Sequence, residues 1–182
     1  MIFNQAKVSV LWVTIAMIVL VGCSPTSSYQ PVTTGSFQAV TGRDLRIVTG
    51  QTLYVPAYSE VLLGNDVRTH ELVVTLAVHN TAFDAPIIIQ SVRYYDTHGE
   101  LVRNYVDNPI EVSPLATTGF LVEAQDTTGG WGSNFIVEWV AEEPVSEPIV
   151  EAIMVSRSGS QGISMISLGR VISQTGEEEP NE

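Results

Sequence analysis

Nine residues, "LVVTLAVHN" from Leu72 to Asn80, set Leu72, Val74, Leu76 and Val78 against Val73, Thr75, Ala77 and His79. Strand side chains alternate between the two faces of a sheet, so this period of two is a strand signature. Both faces stay apolar until His79, which suits a strand in the middle of its sheet better than one at an edge. The run "IIIQSVRYYD" starts at Ile87 and repeats the pattern, with Val92 and Tyr94 expected in the core and Arg93 in solvent. Asp96-Thr97-His98-Gly99 then reads as a turn in which Gly99 is free to take a positive φ.

The same punctuation continues along the chain. Further β-rich runs are "QTLYVPAY", "ELVRNYV", "PIEVSP", "TTGFLVEA", "NFIVEWVA", "PIVEAIMVSR" and "GISMISLGRVIS". Pro56, Pro86, Pro109, Pro114, Pro144 and Pro148 fall near strand starts, edges or turns, where a missing N–H does least harm. No segment carries a convincing amphipathic helix. Short strands spaced by turn signals predict an all-β fold, an immunoglobulin-like antiparallel β-sandwich of about eight strands, or failing that a barrel.

The N-terminus predicts the compartment. Lys7 precedes an apolar run of about 14 residues, "VSVLWVTIAMIVLV", too short to span a bilayer comfortably and suited to the core of a signal peptide. "LVGC" follows the form of a bacterial lipobox, which implies that Cys23 becomes the lipidated first residue of the mature protein. Ser24 follows it where an aspartate would favour inner-membrane retention in enterobacteria, so an outer-membrane anchor facing the periplasm is expected. Cys23 is the only cysteine, so a lipidated chain has no thiol left for disulfides, catalysis or metal. The expected layout is a signal peptide over 1–22, a flexible tether over 23–44, a β-sandwich domain over 45–173 and an acidic tail over 174–182.

Charge excludes one class of partner. Lys7 is the only lysine, so beyond the signal peptide seven arginines face 20 Asp+Glu, a formal charge of 7 − 20 = −13. Such a surface repels phosphate backbones, and no nucleic-acid partner is expected.

Candidate sites concentrate in "TTGGWGSNFIVEW", Thr127 to Trp139. A phosphate-binding loop needs a helix after it and usually a lysine, whereas here a strand-like run follows and no lysine remains. Three glycines suit a tight connector. Trp131 between them either folds back over the end of the sandwich or stands exposed as a binding anchor. Trp131 and Asp126 are the candidate ligand or partner contacts. Asp126 is also the weak candidate for a divalent cation. Glu123 and Glu138 flank the loop and could act as the paired carboxylates of a carbohydrate hydrolase if their strands are neighbours. His70 and His79, read as opposite ends of one strand, would lie roughly 30 Å apart on opposite faces and share no metal. His98 belongs to a turn. No nucleophile elbow is present, and neither cofactor, metal nor catalytic residue is expected.

Taken in order, "GQTLYVPAYSEV", "LVVTLAVHNT", "SVRYYDTHGELVRNYV", "SPLATTGFLVEAQDTTGGWGSNFIVEW" and "SQGISMISLGRVI" resemble an uncharacterised bacterial lipoprotein family, family 3124 of the domains of unknown function. The resemblance runs from about Gly50 to Ile172. It implies location and fold and adds no chemistry. Trp131 departs from it, standing where the family pattern has a small residue. The expectation is therefore a lipid-anchored envelope protein, held to the membrane through Cys23 by a palmitate-type anchor. It would meet an envelope partner as a non-enzymatic module, with the hydrolase and cation-binding readings as alternatives.

Overall fold

A computed structural model describes residues 38–64, 68–158 and 161–175. Among these, thirteen strands follow in order: β1 (Gln38–Ala39), β2 (Thr49–Pro56), β3 (Glu60–Leu63), β4 (Arg68–Glu71), β5 (Val73–His79), β6 (Ile87–Tyr95), β7 (Leu101–Asn104), β8 (Ile110–Val112), β9 (Thr117–Val122), β10 (Asn134–Ala141), β11 (Ile149–Ser158), β12 (Gln161–Leu168) and β13 (Arg170–Thr175). A single 3-10 turn, Gly130–Gly132, precedes β10.

Two antiparallel sheets pack as a sandwich, as expected, but with thirteen described strands rather than about eight, because runs read as single strands divide and short pairs such as β3-β4 add to them. The larger runs β1-β8-β6-β10-β2-β13, with β7 also paired to β6, and the smaller runs β12-β11-β5-β9. A third pair, β3-β4, forms a hairpin beside them. One apolar cluster joins the inner faces, with Leu53, Val55, Ile87, Ile89, Phe135, Val137 and Trp139 from the larger sheet meeting Val74, Leu76, Val78, Phe120, Val150 and Met154 from the smaller. The period-two reading holds in detail. Leu72, Val74, Leu76 and Val78 are fully buried, and β5 lies between β11 and β9, central as its two apolar faces require. Val92 and Tyr94 are buried as expected. Arg93 turns to the outer face, where it forms an ion pair with Glu138 on β10. Between these strands the register slips by one residue opposite Glu138 and Trp139. That irregularity is why Ile87 and Ile89 share the core with Val92 and Tyr94 although their spacing is odd.

Several expectations change. The single run "GISMISLGRVIS" is two strands in different sheets, broken at Gly169, whose N–H bonds the Val150 carbonyl. A Cβ at Gly169 would lie 3.1 Å from that carbonyl oxygen and 3.2 Å from Leu53, so the chain passes between sheets at a point with little room for a side chain. His70 and His79 do not share a strand: His70 lies in β4, in the hairpin, and its Nε2 meets Ser156 Oγ at 2.7 Å. His79 ends β5, with Nδ1 2.8 Å from Thr117 Oγ1. Pairing of Gln38 and Ala39 with Glu111 and Ile110 places β1 inside the stretch read as tether, and β13 runs on to Thr175. Residues 1–37, which hold the stretch read as signal peptide, Cys23 and most of the stretch read as tether, and the end of the chain from residue 176 lie outside the described residues. Among the described residues, no helix is long and apolar enough to cross a membrane.

Candidate functional site

The Gly-Gly-Trp-Gly segment enters β10 at one end of the larger sheet, and each glycine is there for its own reason. Gly129 has an ordinary φ of −74°, but a Cβ on it would sit 1.8 Å from the Tyr94 hydroxyl. Its constraint is space. Gly130 has φ +72°, a conformation that side chains with a Cβ resist. At Gly132 a Cβ would come within 3.1 Å of Thr97 Cγ2. The glycines therefore let the backbone lie flat against two side chains of the β6 end and the turn after it.

Those side chains hold the loop in place. Thr97 donates from its N–H (2.9 Å) and its hydroxyl (3.0 Å) to the Gly129 carbonyl, and its Oγ1 accepts from Gly132 N–H at 3.0 Å. Ser59 donates to the Gly130 carbonyl from its N–H (3.3 Å) and its hydroxyl (3.2 Å). Beneath, the Tyr94 hydroxyl donates to Ser133 Oγ (3.0 Å), which donates to the Ala57 carbonyl (2.8 Å). Burial raises the Tyr94 pKa, against a lowering by its hydroxyl bonds to Ser133 and Ser59. The phenol therefore stays a neutral donor. Tyr94 also packs on Phe135 at 4.8 Å between ring centroids, joining the loop support to the core.

On this platform Trp131 is 55% exposed. Of the two positions open to it in the sequence, the structure places it outward rather than folded over the sandwich. Five hydrogen bonds from Thr97 and Ser59 or to them fix the backbone that carries this large exposed ring, so little loop entropy would be lost if another surface met it.

Asp126 has a different position. Its carboxylate accepts from Arg103 Nη2 at 2.7 Å and from the hydroxyl and N–H of Thr128. Burial pushes its pKa up, but the bonds from Thr128 and Arg103 together outweigh that and the net shift is downward. Arg103 in turn lies 5.5 Å from the Tyr105 ring centroid and donates to the Tyr105 hydroxyl. Asp126 fixes the approach to the loop, while Trp131 stands at its surface.

The two glutamates are separated. Glu123 follows β9 of the smaller sheet, and Glu138 sits mid-β10 on the outer face of the larger sheet, paired with Arg93. The condition that would have let them share a face, neighbouring strands, is not met. His98 lies in the turn after β6, which Asp96 caps by accepting at Oδ1 from the N–H groups of His98 and Glu100. Among the described residues no cluster of three or more His, Cys, Asp or Glu is placed to hold a metal ion. Sequence reasoning did not find Thr97, Ser59, Tyr94 or Ser133 as partners of the glycines. Thr97 and Gly129 are 32 positions apart, and no local spacing carries that contact.

Residues 50–172 match the family described as "Protein of unknown function (DUF3124)". No curated protein matches the chain. Among solved structures it is similar to one titled "Crystal Structure of Thermotoga maritima 1070", at 10% identity, covering 66% of this chain and 92% of that one, with a TM-score of 0.40.

Proposed function

Because the chain belongs to the family described as "Protein of unknown function (DUF3124)", whose description lends it no activity, its role has to come from its own residues, and we propose that it is a lipid-anchored, non-enzymatic interaction module of the bacterial envelope that meets a protein partner through Trp131. The observation that carries this reading is the 55% exposure of Trp131 on a hydrogen-bonded loop. Tryptophan is among the residues most enriched at interface hot spots, and a rigid presentation leaves its apolar area as net gain. The lipobox-like "LVGC" supports the anchor, with Cys23 as the lipidated residue. Metabolic labelling with palmitate, lost in Cys23→Ala, is the expected result for it.

The contact is tested by Trp131→Ala and Trp131→Phe in the full-length protein, purified from its native envelope after mild solubilisation. The wild type and the Phe variant should retain a discrete co-purifying partner. The Ala variant should lose about 2 kcal/mol or more of binding, roughly thirtyfold in affinity, with an unchanged melting temperature. Equal partner recovery from the Ala variant and the wild type would remove Trp131 from the interface.

A further inference from the structure

The end of the sandwich away from Trp131 carries the most exposed large apolar side chain among the described residues, Phe83, at 83%. It lies in the connection between β5 and β6. Leu115, 60% exposed, lies in the connection between β8 and β9, and its N–H donates to the Ala82 carbonyl at 3.1 Å. Two large apolar residues in water on loops bonded to each other are more than the single exposures any surface shows.

The backbone holds both outward. Leu115 has φ +56°, and it is the only non-glycine residue with a positive φ among those described. Turn chemistry gives that conformation to glycine or asparagine, so a leucine there costs conformational energy and exposes apolar surface together. Neither folding nor solubility accounts for it. Asn80 braces the two loops: Oδ1 accepts from Ala82 N–H at 2.9 Å, and Nδ2 lies 2.9 Å from the Ala85 carbonyl oxygen and 3.1 Å from those of Val112 and Ser113.

The point at which the chain joins the domain tells what this end faces. Gln38 pairs with Glu111, which pairs with Ile88 near the start of β6, and Ala39 lies one step further along at the level of Ile89. The chain before Gln38, with Cys23 in it, therefore comes in from the Phe83 end. Cys23 and Gln38 are separated by 14 residues, at most about 50 Å of extended chain. The Trp131 loop is at the other end of β6, roughly 27 Å away at strand rise.

We propose that Phe83 and Leu115 dock this end on the surface of the bilayer that carries the anchor, with Trp131 at the end turned away from it. The inference rests on the reading of Cys23 as the lipidated residue. The two loops, 80–86 and 113–116, hold no lysine or arginine, and Asp84 is their one charged residue. With the chain formally at −12, nothing draws this end to anionic headgroups, so the contact is apolar and suits zwitterionic lipid. Phenylalanine and leucine are residues that enter the boundary between headgroups and acyl chains.

The experiment places a nitroxide at position 84 or, at the Trp131 end, at position 125, through Asp84→Cys or Gln125→Cys in the full-length chain purified from its envelope. Collision with a water-soluble nickel complex is measured after reconstitution into phosphatidylcholine vesicles. Burial of the two side chains should lower the collision rate at position 84 about tenfold relative to position 125. Phe83→Ser with Leu115→Gly should abolish that difference at a melting temperature close to the parent's, since Phe83 is exposed and glycine suits the positive φ. Equal collision rates at the two positions, or protection unchanged in the double variant, would overturn the proposal. Protection at position 84 of the Cys23→Ala chain in lipid-free buffer would overturn it too, assigning the pair to a second copy of the chain. Flotation with the vesicles reads the anchor separately. If the chain fails to float, the anchor reading falls, and the Cys23→Ala form is titrated with the same vesicles: saturable protection at position 84 still supports docking, and its absence overturns it.

Discussion

Gly129 shows how a residue's reason can be invisible in its own dihedrals. Its φ is one that alanine adopts freely, yet its backbone lies on the Tyr94 hydroxyl, and a Cβ would overlap that oxygen at 1.8 Å. Tyr94 is fully buried and bonded to Ser133, so it cannot swing aside. Gly129→Ala should therefore destabilise the protein by about 3 kcal/mol, read as a shift of the urea midpoint at unchanged slope. If Tyr94→Phe is introduced together with it, the smaller side chain should restore part of the loss. Asp126 carries the pH prediction. Its folded pKa lies below the ordinary 3.8, so its contribution is fully present above that value and is lost as pH falls through the lower, folded one. Melting temperature followed from about pH 5 to pH 2 should fall less steeply in Asp126→Asn than in the wild type. Parallel curves would mean that the pairing with Arg103 contributes nothing.

Among the elements, what the sequence showed well was what depends on neighbours in the chain. The alternation in β5, the bounds of β10 at "NFIVEWVA" and the Asp96–Gly99 turn are all set by side-chain period and turn chemistry within a few residues. Gly99 indeed takes φ +82°. What was not legible depends on long-range contact. The β3–β4 hairpin has only four residues per strand and a polar half, "RTHE", so no alternation marks it. The break of the last run at Gly169 follows from which sheet each half joins, which periodicity does not encode. Asn80 belongs to this second kind. It is buried, and its Nδ2 lies within 2.9–3.1 Å of the carbonyls of Ala85, Val112 and Ser113 while Oδ1 accepts from Ala82 N–H. One side chain thus ties the β5–β6 connection to the end of β8 and the turn after it. Asn80→Ala strands those backbone groups and should cost about 3 kcal/mol in chemical denaturation. A loss below about 1 kcal/mol would show that the connections hold without it.

At the scale of the whole molecule, the two ends of the sandwich differ in what they present. One presents Trp131 on a loop held by Thr97 and Ser59, and the other presents Phe83 and Leu115 on loops braced by Asn80. The sequence singled out Trp131 and left both of its positions open; exposure is decided by Tyr94 and Thr97 filling the space beneath the glycines, which only the fold brings there. Asp126, chosen with it, turned out to be held by Arg103 from β7, a contact 23 positions away. The account rests on the outward ring meeting another molecule in the envelope. Its most direct test places a photo-crosslinking side chain at position 131 of the full-length protein in its native cell, with position 52 on the outer face of β2 as control. The account predicts a discrete intermolecular adduct from position 131 and none from position 52. Crosslinks from position 131 only within the chain itself would contradict it.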